Sequence, residues 1–207
     1  MNKFFAFLYR LRGYILGLFA LGVLLCPAYP LIEQETPAQF FCLCLVLVFY
    51  TLGVFLRVNA RMYIGAHSRG KKHEASELET SGIYAYMRHP LYVSNTLIIL
   101  GVLVLHLGFT PLMFIWACVG CCFEFLLAKI EDRFLASRFG EEWRKWALQT
   151  KILPSFFDLF GNVGKSKRAE ARKIPPKRTF MQAFCADWSS WVWLLFFNFL
   201  ILIQKFV

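Results

Sequence analysis

Two polar pairs and one isolated acid interrupt an otherwise apolar chain where chemistry becomes possible. The first pair is Arg88-His89, preceded by Tyr84 and Tyr86 and followed by Pro90 and Tyr92. Proline has no backbone N–H, and its fixed φ suits the first turn of a helix. Pro90 therefore opens the apolar run 91–109 and holds Arg88 and His89 at its mouth. The second pair is Glu131-Asp132, just beyond the apolar run 111–127. A guanidinium, an imidazole and two carboxylates at a membrane interface can grip a small polar ligand and hold it against a reagent dissolved in lipid. Glu124 stands seven residues before Glu131, on much the same face of the same run. An ionisable group inside an apolar span is a functional candidate by default. The plainer alternative is a paired acid, with Lys129 or with His106 on the neighbouring run as partner.

These residues need membrane helices to position them. The chain has 207 residues, of which 58% are hydrophobic and only 17% charged, a balance that excludes an ordinary soluble domain. Runs at 14–32, 40–58, 91–109 and 111–127 are long enough for a bilayer core of ~30 Å, and a shorter fifth lies at 188–203. The expected fold is an all-α polytopic membrane bundle of about five transmembrane helices. The third and fourth runs form a hairpin broken at Gly108-Phe109-Thr110-Pro111. His89 and Glu131 are equidistant from Thr110, so each arm is ~31 Å of helix. Arg88-His89 and Glu131-Asp132 are thus expected at one depth on adjacent helices. Residues 131–149 read as an amphipathic helix that lies on the membrane surface or folds over the site as a lid.

The net charge of +10 follows membrane topology and does not signal nucleic acid. Three Lys and Arg residues precede the first run, six lie between Arg57 and Arg88, and thirteen between Lys129 and Arg178. By the positive-inside rule the N-terminus faces the cytoplasm, in a bacterial inner membrane or the endoplasmic reticulum. Leu25-Cys26-Pro27 lacks the small residues of a signal-peptide cleavage site, so the first helix is expected to be retained. The basic stretch 165–178 suits anionic lipid headgroups, and Trp188, Trp191 and Trp193 suit an aromatic belt. Cys118-x-x-Cys121-Cys122 has no second ligand pair, so packing is expected there and no metal.

Gly82-Ile83-Tyr84 with Arg88-His89-Pro90-x-Tyr92 resembles the first half of the signature of isoprenylcysteine carboxyl methyltransferases and related phospholipid methyltransferases. Glu131-Asp132-x-x-Leu135-x-x-x-Phe139-Gly140, followed by Trp143, Trp146 and Pro154, resembles the second half. The resemblance implies S-adenosylmethionine bound at the cytoplasmic helix ends by Tyr84, Tyr86, Arg88, His89, Pro90, Tyr92, Glu131 and Asp132. Arg88 would take its carboxylate, Glu131 its ammonium or ribose hydroxyls, and the tyrosine rings its adenine or sulfonium. Glu124 and Glu131 are the expected catalytic carboxylates, and the acceptor enters from the lipid.

Three positions depart from the family pattern: Asp132 where Glu is usual, Trp143 and Trp146 where Tyr is usual, and Leu127 where carboxyl methyltransferases carry an arginine. That arginine is thought to hold an acceptor carboxylate, so Leu127 and Glu124 together favour an amine or lipid headgroup over a prenyl-type carboxylate. The expected organisation is a two-helix hairpin over 1–58, a methyltransferase-like core over 59–154, and a basic segment with a last helix over 155–207. Two other functions remain open: a non-catalytic scaffold or transporter, and an NADPH-dependent sterol-type reductase, which shares an Arg-His-Pro.

Overall fold

The computed structural model describes residues 3–29, 36–64, 77–153 and 174–206. Every named element is helical: α1 (Lys3–Leu24), α2 (Pro37–Tyr63), a 3-10 turn (Gly82–Ala85), α3 (Pro90–Leu107), α4 (Pro111–Phe139), α5 (Glu141–Gln149), α6 (Phe180–Ala186) and α7 (Trp188–Phe206). Proline begins three of them, where its missing N–H costs nothing. Thr36 caps α2 in a reciprocal box with Gln39, and the Thr110 hydroxyl accepts from the Met113 N–H to start α4.

Four helices are long and apolar enough to cross a membrane, and the α6–α7 pair, bent by 64°, makes a fifth if it counts as one span. Large apolar side chains such as Phe40, Leu47, Phe114 and Phe199 face outward. That suits hydrocarbon surroundings. The buried core joins Val23, Val46, Leu103, Met113 and Ile201 from α1, α2, α3, α4 and α7. One end of the bundle is tied by the Tyr29 N–H donating to the His106 carbonyl (2.8 Å) and Gln204 Nε2 donating to the Leu24 carbonyl (2.9 Å). The opposite end gathers the start of α1, the end of α2, the start of α3, the end of α4 and the α6–α7 break. The site lies there.

Three expectations need correction. The amphipathic helix does not run from residue 131: α4 continues to Phe139, and α5 starts anew at Glu141. The break is Gly140, whose φ of +53° glycine adopts without strain. Trp191 is not part of an interfacial belt. It is buried, stacked on Phe184 at 5.1 Å, and its Nε1 donates to the Phe184 carbonyl, whereas Trp188 and Trp193 are exposed. The first helix starts at Lys3 and ends at Leu24, earlier at both ends than 14–32. Pro154 and the basic stretch up to 173 lie outside the described residues.

The most extensive helix–helix contact joins α2 to α3 and includes small residues, as expected where apolar transfer cannot drive association. The Ser94 hydroxyl donates to the Gly53 carbonyl at 2.7 Å, and a Cβ at Gly53 would meet Ile98 at 2.8 Å and the Ser94 backbone oxygen at 3.3 Å. Gly13 on α1 has no neighbour within 4 Å of such a Cβ. Gly53→Val should therefore lower the stability of the detergent-solubilised protein by about 1–3 kcal/mol. Gly13→Ala should leave it unchanged or raise it. Thermal unfolding followed by circular dichroism compares the two, and equal midpoints would rule out the crossing.

Candidate functional site

The mouth of α3 is held by three local devices. Gly82 begins the 3-10 turn at φ +55°, and a Cβ there would lie 2.1 Å from the Tyr63 ring. The turn puts Tyr84 into a small apolar cluster with Ala60 and Trp146. Burial, with the nearby Glu131 charge adding to it, pushes the Tyr84 phenol well above its ordinary 10.0. Next, the chain leaving α5 pairs with the mouth: Met87 bridges Lys151, and the Arg88 N–H donates to the Lys151 carbonyl at 3.0 Å. Finally, the His89 carbonyl accepts from the Tyr92 and Val93 N–H groups, both at 3.1 Å, so Pro90 sits in the first helical turn.

The hairpin brings the two polar pairs to one depth, as the run lengths predict. His89 Nε2 lies 2.9 Å from Asp132 Oδ1, and Arg88 Nη1 lies 3.7 Å from Asp132 Oδ2. His89 and Asp132 are both buried. No bridging ligand is needed for this contact, because the side chains meet directly. Glu131 turns the other way. The Tyr92 side chain hydrogen-bonds to it, and the Tyr9 side chain from α1 hydrogen-bonds to Tyr92. The Tyr92 ring also lies 5.7 Å from the His89 ring. Tyr86 follows the 3-10 turn, its N–H donating to the Ile83 carbonyl at 3.1 Å.

Helix α5 folds back over this mouth. Trp146 Nε1 donates to the Tyr84 carbonyl at 3.2 Å, and the Arg88 guanidinium stands 5.9 Å from the Trp143 ring centre. Of the two alternatives the sequence left open, packing over the mouth is the one adopted. Two buried donors here, Arg88 Nε and Trp143 Nε1, have no hydrogen-bond partner among the described residues. Buried polar atoms are nearly always satisfied. Two unsatisfied donors side by side, one on a guanidinium, suit an acceptor-rich ligand such as a carboxylate.

Glu124 is buried one to two turns deeper, and its partner is neither Lys129 nor His106. Asn95 Nδ2 stands 3.3 and 3.2 Å from its two oxygens, whereas Lys129 lies over the Phe125 ring at 5.3 Å and His106 Nε2 meets the Cys26 carbonyl at 3.2 Å. Asn95 in turn is held by Arg57, and Arg57 by Asp187. Leu127, at the family's arginine position, is fully buried. Reading the sequence by residue type misses Asn95, Arg57 and Asp187. The available signal was an acid between two apolar stretches at Asp187, the same criterion that selects Glu124. Among the described residues no cluster of His, Cys, Asp and Glu could hold a metal ion.

Residues 42–142, from the first turns of α2 to the first turn of α5, match the family model for phospholipid methyltransferases. That segment is similar to the phospholipid methyltransferase family. It contains Arg88, His89, Glu124, Glu131 and Asp132, and leaves α1, α6 and α7 outside. Over 116 residues the chain is 36% identical to the cobalt-zinc-cadmium resistance protein CzcN of Cupriavidus metallidurans, a match covering 55% of this chain and 49% of that protein. The chain thus spans about half the length of that curated relative. No solved structure matches. The apolar helices and the family together make this an integral membrane protein.

The two tryptophans over the mouth of α3 differ in whether the indole N–H has a partner. Trp146→Phe removes a satisfied donor and should lower stability by about 1 kcal/mol. Trp143→Phe removes an unsatisfied one, so it should leave the ligand-free protein as stable as before or more so. Paired melting curves without ligand test this, and a larger loss for Trp143→Phe would mean that its indole N–H is already satisfied.

Proposed function

We propose that this protein is an S-adenosylmethionine-dependent methyltransferase acting on a membrane-embedded acceptor, either a lipid headgroup amine or an isoprenoid-type carboxylate. The observation that carries this is the pair of unpartnered buried donors, Arg88 Nε and Trp143 Nε1, beside the His89–Asp132 contact in the family-matched hairpin. S-adenosylmethionine supplies a methyl group already activated on a sulfonium, so orientation and exclusion of water can provide most of the rate enhancement.

The residues at the mouth suit that ligand. Arg88, backed by Asp132 on one edge, keeps its Nε for a carboxylate, and Trp143 offers a second donor next to it. His89 is fixed by Asp132, which ties the start of α3 to α4. Glu131 receives one hydrogen bond from Tyr92 and has lone pairs left for an ammonium or ribose hydroxyl. Tyr84, Tyr86 and Tyr92 give aromatic faces for the adenine or the sulfonium, and Trp146 holds α5 across the opening. Glu124 serves as counter-ion or base for an acceptor amine. Buried Leu127 cannot offer a carboxylate the guanidinium that an arginine would, so the amine is the favoured acceptor.

On this reading the site opens on the cytoplasmic face. The support is charge: Arg10, Arg12, Arg61, Arg88, Arg133 and Arg138 all belong to the helix ends that gather there. The basic segment 165–178 would meet anionic headgroups on the same side.

Calorimetry on the detergent-purified protein tests the proposal, with S-adenosylmethionine and S-adenosylhomocysteine as ligands and NADPH as control. Micromolar binding of the first two is expected. Each of Arg88→Ala, His89→Ala and Glu131→Ala should weaken it by about tenfold or more, the size of one or two charge-assisted hydrogen bonds. Glu124→Gln should spare binding and lower turnover. Wild-type affinity in all three alanine variants would refute the site, and binding of NADPH alone would move the chain to the reductases.

A further inference from the structure

Six polar side chains from α2, α3, α4, α7 and the α6–α7 break meet between the helices, below the mouth of α3. Arg57 of α2 has a partner at each of its three nitrogens. Nε donates to Asp187 Oδ2 at 2.9 Å, Nη1 to Asn95 Oδ1 at 2.5 Å, and Nη2 to the Ser190 hydroxyl at 3.0 Å. Arg61, one turn further along α2, donates through Nε to the same Asp187 oxygen at 2.8 Å. Asn95 of α3 then turns its Nδ2 to both oxygens of Glu124 on α4.

A guanidinium engaged on every nitrogen is poorly placed to bind a ligand, but it can set the groups that it touches. Arg57 has no acceptor, so it must take the carbonyl end of the Asn95 amide. That leaves the amide NH2 aimed at Glu124. If Arg57 were displaced, the amide could turn over and set its carbonyl oxygen against the carboxylate. Arg57 in turn needs Asp187, because a guanidinium in an apolar interior is tolerated only when paired. Asp187 sits in the break between α6 and α7, where its carbonyl accepts from the Ser190 N–H at 2.8 Å and the Trp191 N–H at 3.2 Å. The bend thus faces Asp187 and Ser190 toward α2.

We propose that Asp187 is a positioning residue for Glu124, acting through Arg57 and Asn95, so that the bent pair α6–α7 completes the acceptor side of the site. This rests on the reading of Glu124 as the group that meets the acceptor. It gives a role to a segment that lies outside the family-matched residues. Such a network fixes geometry cooperatively, and the loss of any link is felt at the end of the chain.

The test uses the full chain in mixed micelles, with radiolabelled S-adenosylmethionine and an ethanolamine phospholipid as acceptor, and a prenylated cysteine as the second acceptor. Asp187→Asn should lower kcat by about ten- to a hundredfold, the scale of a misplaced reacting group. Donor affinity measured by calorimetry should stay within about twofold, because no donor-binding group touches the network. Asp187→Glu, which keeps the charge, should recover most of the rate. Asn95→Ala leaves Asp187 paired with both arginines and should reproduce the loss. Neither change should lower the rate further in a Glu124→Gln background, since residues acting as one unit are non-additive. If Asp187→Asn does not fold, Ser190→Ala, which removes one bond to Arg57, and Asn95→Ala, which removes the link between Arg57 and Glu124, carry the same comparison. Wild-type turnover in these variants, with Glu124→Gln impaired, would overturn the proposal and leave the methyltransferase reading intact. Losses that add to that of Glu124→Gln would also overturn it, by showing a purely structural role. Failure of the wild-type protein to bind the donor or to methylate either acceptor would overturn the methyltransferase reading, and this proposal with it.

Discussion

The contact between His89 and Asp132 depends on the length of a hairpin. Each side chain stands at the polar end of an apolar helix, and the two helices are joined by a turn that glycine and proline force at 108–111. Because the arms are equal, an imidazole and a carboxylate far apart in sequence meet at 2.9 Å. Arg88, Tyr92 and Glu131 are each within a residue or a turn of this contact, so a change in either arm would shift all of them together. A shift of one residue along a helix is ~1.5 Å of rise and ~100° of rotation, enough to break the pairing.

The lipid environment explains why the polar groups deeper in the bundle are so fully connected. An unpaired charge buried between apolar helices is costly. Arg57 and Arg61 share Asp187, Arg57 also holds Asn95 and Ser190, and Asn95 holds Glu124. These bonds join α2, α3, α4 and the α6–α7 break at one level. The small residues Gly53 and Ser94 let α2 and α3 approach closely enough for Arg57 and Asn95 to touch. Packing and polar chemistry are therefore coupled at this crossing.

At the mouth the same rule is met only in part. Trp146 and the Arg88 backbone find partners that hold α5 and the chain leaving it in place, whereas Arg88 Nε and Trp143 Nε1 do not. Gly140 makes this arrangement possible. By reversing the chain after α4 it turns what would be a longer surface helix into a flap over the residues at 84–88. The result is a site with a satisfied rim and unsatisfied donors, the pattern expected where a ligand supplies the missing acceptors.

Much of this was legible in the residues themselves. The apolar runs, the proline starts and the glycine-proline turn are local features, and they determine helices, hairpin and depth because helix rise and bilayer thickness are fixed quantities. Hence the meeting of Arg88-His89 with the acidic pair could be read from spacing. Which acid answers His89 could not: Glu131 and Asp132 are adjacent, and only helix rotation in the packed bundle turns Asp132 inward and Glu131 toward Tyr92. Trp143 and Trp146 could be read as parts of an amphipathic helix, but not as one indole with a hydrogen-bond partner and one without, since that depends on the reversal at Gly140. The Glu124 network was the least legible, because its side-chain hydrogen bonds join positions 29 to 133 apart in sequence. Sequence determined which stretches form apolar helices and where proline begins three of them. Tertiary structure alone decided which polar group each helix turns toward its neighbours, because rotation about a helix axis is set by packing against the others.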